Sequence, residues 1–310
     1  MKLMTIIQKQ TPLLILPVAI MAISLSSGCA SITRVGANVG KAAGVITPQQ
    51  ADSMIKSADA VEKSFQDITP EQEYYIGRAV GATIVNTYNV YDNEEATEYL
   101  NMIGQSAARF SDMPSTFKGY HFLILDTDEV NAFAAPGGFI FISRGMIRLC
   151  KSEDDLAAVA AHEIGHIQLK HAIGAIKSSR LTSALTTLAV EGTKTLAGDT
   201  VSQLTQAFEG SITDITKTMM NSGYARGQER AADKAAIDIL KNMGYRQESL
   251  PNVLERMAQV TKETDSSGFG ATHPPPGERV KDLMKLIDDS STPLPTSARQ
   301  KRFDKALKNI

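Results

Sequence analysis

The stretch His162-Glu163-Ile164-Gly165-His166 carries the chemistry of this sequence. In an α-helix four residues turn the chain by about 400°, so His162 and His166 share one face, one turn apart. Two imidazoles placed that way can both reach one Zn²⁺ at about 2.0–2.1 Å. Glu163 follows the first His and points beside such a metal, where it can hold a water molecule and take its proton. The chemistry this set performs is attack of an activated water on a carbonyl, with Glu163 then passing the proton to a leaving amine.

Two histidines do not complete a zinc site, and the third ligand must come from elsewhere in the chain. Ala172 occupies the position ten after the first His, where one class of zinc peptidases carries a third His. His171 falls one short. Nine residues amount to about 900° of helix, so it is expected opposite His162, near the helix C-terminus and facing the macrodipole. The best candidate lies in Gly227-Gln228-Glu229-Arg230-Ala231-Ala232-Asp233. Glu229 and Asp233 share a helix face, and Ala231, Ala232, Ala235 and Ala236 keep that helix slim enough to press on the motif helix. Glu229 could ligate zinc while Asp233 accepts a hydrogen bond from the second nitrogen of a ligand His. Two carboxylates four apart are usually just a solvated face; the upstream His-Glu motif changes that reading here.

Other candidates surround this core. His273 directly precedes Pro274-Pro275-Pro276, which hold it extended. A stiff loop could place its imidazole beside the metal, to stabilise an oxyanion, or on it, filling the water position. The plain alternative is an exposed loop histidine. A second electrophile could be His273, Arg279 or Tyr224, in that order. His121 reads as structural, and Cys150 as a small buried apolar side chain.

These residues need elements to hold them. Thr69-Pro70-Glu71-Gln72 is a helix start with a capping box. Asp92-Asn93-Glu94-Glu95 opens another helix, running to about Phe110. The period then changes to two: His121–Leu125, Asn131–Ala134 and Phe139–Ser143 read as short strands, the last two joined by Pro136-Gly137-Gly138, and an antiparallel meander is expected. Ser152 caps the motif helix, expected from Leu156 to about Ala172. Residues 173–223 are dominated by Ala, Thr, Ser and Gly, as weak helices or a mobile lid. Helices follow at about Tyr224–Met243, closed by Gly244, at about Ser249–Thr264, and after the Thr272–Arg279 stretch.

Composition limits the wider reading. The 310 residues carry a net charge of −2 and are 43% hydrophobic, enough for a proper core and without the basic footprint of a nucleic-acid binder. Lys2 and Lys9 precede an apolar run, Leu13–Leu25, too short to span a bilayer comfortably and read as a secretory signal. It ends in Leu25-Ser26-Ser27-Gly28-Cys29-Ala30, which looks like a bacterial lipobox, although Leu25 lies four residues before the Cys rather than three. Cys29 is the expected lipidation site and Ala30 fits an outer-membrane address. The expected organisation is a signal at 1–28, a tether and N-terminal helix at 29–68, a peptidase domain at 69–290 and a polar, frayed tail at 291–310.

Taken in order, Asn131-Ala132-Phe133-Ala134-Ala135-Pro136-Gly137-Gly138, the His162–His166 motif, the Glu229–Asp233 block and Thr272-His273-Pro274-Pro275 resemble the HtpX-like gluzincin metallopeptidases, related to the prenyl-protein protease family. The resemblance covers roughly residues 69–290 and points to the periplasmic lipoprotein subgroup, with neither further transmembrane helices nor a C-terminal helical-repeat array expected. It implies an α+β fold, a mainly helical zincin-type domain with a small antiparallel sheet beside the motif helix. It implies one Zn²⁺ held by His162, His166 and Glu229, with Asp233 behind them, Glu163 as base, and Asn131, Ala132 and Phe133 at a substrate edge strand. The implied clients are unfolded or misassembled outer-membrane proteins at the periplasmic side of the outer membrane, with their assembly machinery as a possible partner and no nucleic acid. A periplasmic chaperone that uses the cleft only for binding is the competing reading. A purely structural zinc site is a third, which usually closes the tetrahedron with Cys or a fourth fixed ligand, and no such Cys is near here.

Overall fold

The computed structural model describes residues 68–175, 212–263, 276–287 and 297–310, together with Thr47, Pro48, Glu209, Gly210 and His273. The chain divides into two compact units, Met1–Gln66 and Asp67–Ile310, and the second contains the motif helix with all the elements that surround it. The expected signal, the Cys29 site and the tether with its helix lie outside the described residues.

Helix α1 (Pro70–Tyr88) begins at the expected capping box: Thr69 Oγ1 accepts from the Gln72 backbone at 3.2 Å, and Gln72 Oε1 accepts from Thr69 N at 2.9 Å. Helix α2 (Glu94–Ala108) starts at Asn93, whose side chain caps Ala96 N. Three strands follow: β1 (His121–Leu125), β2 (Ala132–Ala135) and β3 (Phe139–Ser143). Next come a short α3 (Arg144–Leu149), which no sequence period announces, and the motif helix α4 (Glu153–Gln168). A single turn, α5 (His171–Gly174), precedes α6 (Arg226–Met243), α7 (Ser249–Glu263), α8 (Pro276–Leu283) and α9 (Ser297–Ala306).

The fold is α+β as expected, but the sheet is mixed rather than an antiparallel meander. Its order is β1-β3-β2, with β1 parallel to β3 and β2 antiparallel to β3. The hairpin at Pro136–Gly138 forms as read from the sequence, and β3 then inserts between β2 and β1. The physical reason is burial. Phe139-Ile140-Phe141-Ile142 is the most apolar segment, and the central place buries it on both faces.

Helix α4 is the spine. Every side chain from Glu153 to Ile167 is buried, and the helix packs against α2, α6, α7 and β2. Ala157, Ala158, Ala160 and Ala161 let its neighbours approach closely. At Gly165 the approach of α6 is tightest: an added Cβ would meet the Ala232 carbonyl oxygen at 2.9 Å. That contact sets the distance between the two helices that carry the histidines and the carboxylates.

The C-terminal residues, expected as a frayed polar tail, form a docked helix. Arg302 of α9 makes a two-pronged contact with the buried Glu153, and Arg299 reaches Asp154 and the Gly244 carbonyl. Arg256 of α7 pairs with Asp155 at 2.6 Å. Three consecutive acids at the start of α4 are each met by an arginine, and their charges also complement the helix dipole.

Candidate metal centre

Helix packing brings together four side chains from three separate stretches of the sequence. One donor atom each from His162, His166, Glu229 and His273 can be chosen so that all lie within 4.8 Å of one another. His162 Nε2 and His166 Nε2 are 3.1 Å apart. Glu229 Oε2 is 3.6 Å from the first and Glu229 Oε1 is 3.5 Å from the second. His273 Nδ1 lies 2.7 Å from Glu229 Oε1. Ligands of a tetrahedral zinc at about 2.0–2.1 Å stand about 3.3 Å from one another, so the spacing suits that ion. Glu229 Oε2 is moreover buried without a hydrogen bond, its charge met by Arg279 Nη1 at 3.2 Å, so its lone pairs can still take a cation. The donor set, two or three imidazoles and a carboxylate, is of the type that zinc takes.

The nitrogens turned away from this centre are held as well. His162 Nδ1 lies 3.1 Å from Asp233 Oδ1, the arrangement expected of an orienting carboxylate. Arg279 closes the other side of that carboxylate, donating from Nε to Asp233 Oδ2 at 2.9 Å and from Nη2 to Oδ1 at 2.6 Å. Its Nη1 stands 3.2 Å from Glu229 Oε2. The structure therefore places Arg279 against the two carboxylates behind the histidines.

His171 departs from its sequence reading. The motif helix stops at Gln168, and Lys170 adopts a left-handed conformation, φ 54° and ψ 34°. The break turns the chain back, and His171 Nδ1 comes within 2.9 Å of His166 Nδ1. Tyr224, the last of the three candidate electrophiles, stacks on His166 with ring centroids 4.3 Å apart and its hydroxyl buried without a hydrogen bond. It arrives there through a widened π-type turn, Thr218–Ser222, and Gly223 at φ 68°, a conformation that favours glycine.

Burial shapes the protonation of this cluster. Burial pushes Glu163 up to about 7, helped by the Glu229 charge and opposed by His162 and Arg279. For His162, burial and the Arg279 charge act downward, but contacts with Asp233 and Glu229 outweigh them and hold it at about 9. Burial and the neighbouring His162 keep His166 well below the ordinary histidine value. Burial alone would raise Glu229 and Asp233, yet the surrounding histidines and Arg279 hold both below the usual carboxylate range. Burial lowers His171 to about 4.

Asn131, Ala132 and Phe133 lie at the start of β2, an edge strand of the sheet that packs on α4. All three are buried. The Asn131 side chain donates from Nδ2 to Glu129 and accepts at Oδ1 from Ala132 N, while its main chain bonds to Ser143 of β3 in both directions, accepting from Ser143 N and donating to Ser143 Oγ. Residues 218–222 lie against β2. A cavity of about 520 Å³ is elsewhere, lined by Tyr91, Asp92, Glu94, Glu98 and Leu123 among others. Beside Glu163 is a cavity of only about 10 Å³, bordered by His162, Arg279, Met146 and Val159.

Residues 94–287 match the sequence profile of peptidase family M48. The chain belongs to that family. It is 25% identical over 240 residues to the beta-barrel assembly-enhancing protease of Escherichia coli, covering 77% of this chain and 48% of that protein. It is 30% identical over 155 residues to the metalloprotease LoiP of the same organism, covering 50% of this chain and 58% of the relative. Over 172 residues it is 26% identical to the mitochondrial metalloendopeptidase OMA1 of Schizosaccharomyces pombe, covering 54% and 46%. The chain thus spans about half the length of the curated relatives it matches. Among the described residues no helix is long and apolar enough to cross a membrane.

Proposed function

We propose that this protein is a zinc-dependent endopeptidase of the bacterial cell envelope that acts on unfolded or misassembled outer-membrane proteins. The observation that carries the reading is the convergence of His162, His166, Glu229 and His273 donors beside a buried carboxylate, Glu163, held near neutrality. Zinc bound there would supply Lewis acidity for a substrate carbonyl and acidify a water molecule. Glu163 is the base: its buried carboxyl follows His162 on the motif helix and borders the small cavity beside it, where it could take a proton from water and return it to the leaving amine. Asp233 fixes His162 in the form that carries its proton on Nδ1, leaving Nε2 to ligate. Arg279 holds Asp233 ionised and in place and adds to the positive charge around Glu229, a positioning role beside the electrophile role for which it ranked second to His273.

His273 would join the metal ligands in this conformation, since its imidazole stands among the donors and touches Glu229 at 2.7 Å. A zinc held by all four residues would have no open position for water, which is the mark of a latent enzyme. Burial of Asn131–Phe133 and the packing of residues 218–222 on β2 support the same view. Release of His273 and of that segment would open the strand edge to an extended peptide, which pairs through main-chain hydrogen bonds whatever its side chains. The named activity of the E. coli relative supports β-barrel proteins as clients. Lipidation at Cys29 would hold the domain at the periplasmic face of the outer membrane, near those clients.

The test is Glu163→Gln, which removes the base and keeps the ligands. Zinc content and fold should be unchanged and cleavage of an unfolded β-barrel protein lost. Cleavage at near wild-type rate would sink the assignment. Retained binding of that client with no cleavage even by wild type would favour the chaperone reading.

A further inference from the structure

We propose that His171 is a positioning residue that fixes the protonation form and orientation of His166, doing for that ligand what Asp233 does for His162. The inference rests on the zinc reading above and deepens it. A neutral imidazole that ligates through Nε2 carries its proton on Nδ1 and must donate it. For His162 the acceptor is a carboxylate at 3.1 Å. For His166 the atom in reach is His171 Nδ1, at 2.9 Å. His171 must then hold its own proton on Nε2 and offer Nδ1 as an acceptor, because an imidazole with a proton on each nitrogen has nothing to accept with.

The fold is arranged to deliver this ring. A continuous helix would carry His171 to the face opposite His162, and the left-handed Lys170 prevents that. A non-glycine residue rarely adopts that conformation. The Lys170 side chain reaches Glu73 of α1, whose Oε2 lies 3.2 Å from Lys170 Nζ. Tyr224 covers the face of His166 and stands 5.7 Å from the His171 ring, so the two aromatic side chains cradle one ligand.

The experiment measures zinc affinity of the full chain by competition with a chromophoric chelator, alongside the melting temperature of the metal-stripped protein. His171→Phe keeps a ring in place and removes the acceptor. His171→Gln restores an acceptor without the ring. The expected result is a loss of about 10–100-fold in zinc affinity for His171→Phe, as for other groups behind a ligand, with the metal-free melting temperature unchanged. His171→Gln should recover most of that loss. If His171→Phe does not fold, His171→Leu, also without an acceptor, takes its place in the comparison. Zinc affinity of the Phe variant equal to wild type would overturn the proposal, and so would a Gln variant as weak as Phe, since the ring and not the acceptor would then matter. A wild-type chain that binds no zinc would instead overturn the function proposed above, and this inference with it.

Discussion

Replacing Arg279 by Met should destabilise the metal-free protein severely. Arg279 is only 4% exposed, and its guanidinium makes two hydrogen bonds to Asp233 and stands beside Glu229. Methionine is close in length and fills the volume, so the change removes the charge and leaves the packing nearly intact. What remains is two buried carboxylates, Asp233 without its chief counter-charge and Glu229 with one of several lost. Breaking a buried pair from one side costs about 3–5 kcal/mol, against a typical total stability of about 5–15 kcal/mol. The doubly substituted Arg279→Met, Asp233→Asn chain should recover most of the loss, because the orphaned charge is removed too. Zinc should shrink the penalty, since a cation on Glu229 and His162 supplies part of the missing positive charge. Urea unfolding followed by far-ultraviolet circular dichroism, with and without chelator, measures all of these. Lys234→Met serves as the control: the Lys234 side chain is 64% exposed and that of its partner Asp238 55%, so loss of the ion pair should cost about 0.5 kcal/mol or less. If Arg279→Met in the metal-free protein behaved like that control, the charge-compensation argument would be refuted.

His162 is held near 9 and must be neutral to ligate, so zinc binding at about pH 7.5 should release about one proton, read by titration calorimetry in two buffers of different ionisation enthalpy; no buffer dependence would contradict this. The same raised value stabilises the metal-free fold fully below about 6.5, and that contribution is lost as pH climbs through about 9, so the metal-free melting temperature should fall across that window. Gly165→Ala should push α6 off α4, costing about 1–3 kcal/mol and weakening zinc binding, because the added Cβ would sit 2.9 Å from the Ala232 carbonyl oxygen; unchanged zinc affinity would show that the helices separate without disturbing the ligands. His273→Ala should raise peptidase activity by vacating a ligand position, and a fall in activity would return His273 to the role of oxyanion stabiliser.

Much of the site is legible in the sequence because it is written on helices. Spacing by four puts His162 with His166 and Glu229 with Asp233, and the alanines beside the carboxylates explain why the two helices can touch. The capping residues Thr69, Asn93 and Ser152 mark three helix starts within a residue or so, because a cap is a local hydrogen bond and needs no tertiary partner. His171 escapes a count of helical turns because the helix breaks before it, and nothing local marks Lys170 as left-handed; Gly or Asn would be the expected signal. Strand order escapes as well, because period two reports which segments are strands, while the neighbour of each is decided by where the most apolar one can be buried.

The C-terminal helix is hidden for a different reason. Periodicity detects an element through its apolar stripe, and α9 buries a single large side chain, Phe303. It docks instead by charge: Arg299 and Arg302 reach Asp154 and Glu153, and the latter also accepts from the hydroxyls of Tyr99 and Tyr245 at 2.8 Å. A polar segment that reads as frayed by composition therefore closes a buried network at the first turn of the motif helix. Each such acid would be expensive to bury alone, and the three together would repel one another. Their arginines come from α7 and α9, far along the chain, so the start of α4 is complete only when both of those helices have docked. The helix that positions His162, Glu163 and His166 is thus fixed at one end by charges from the C-terminus and along its length by the close approach of α6 at Gly165.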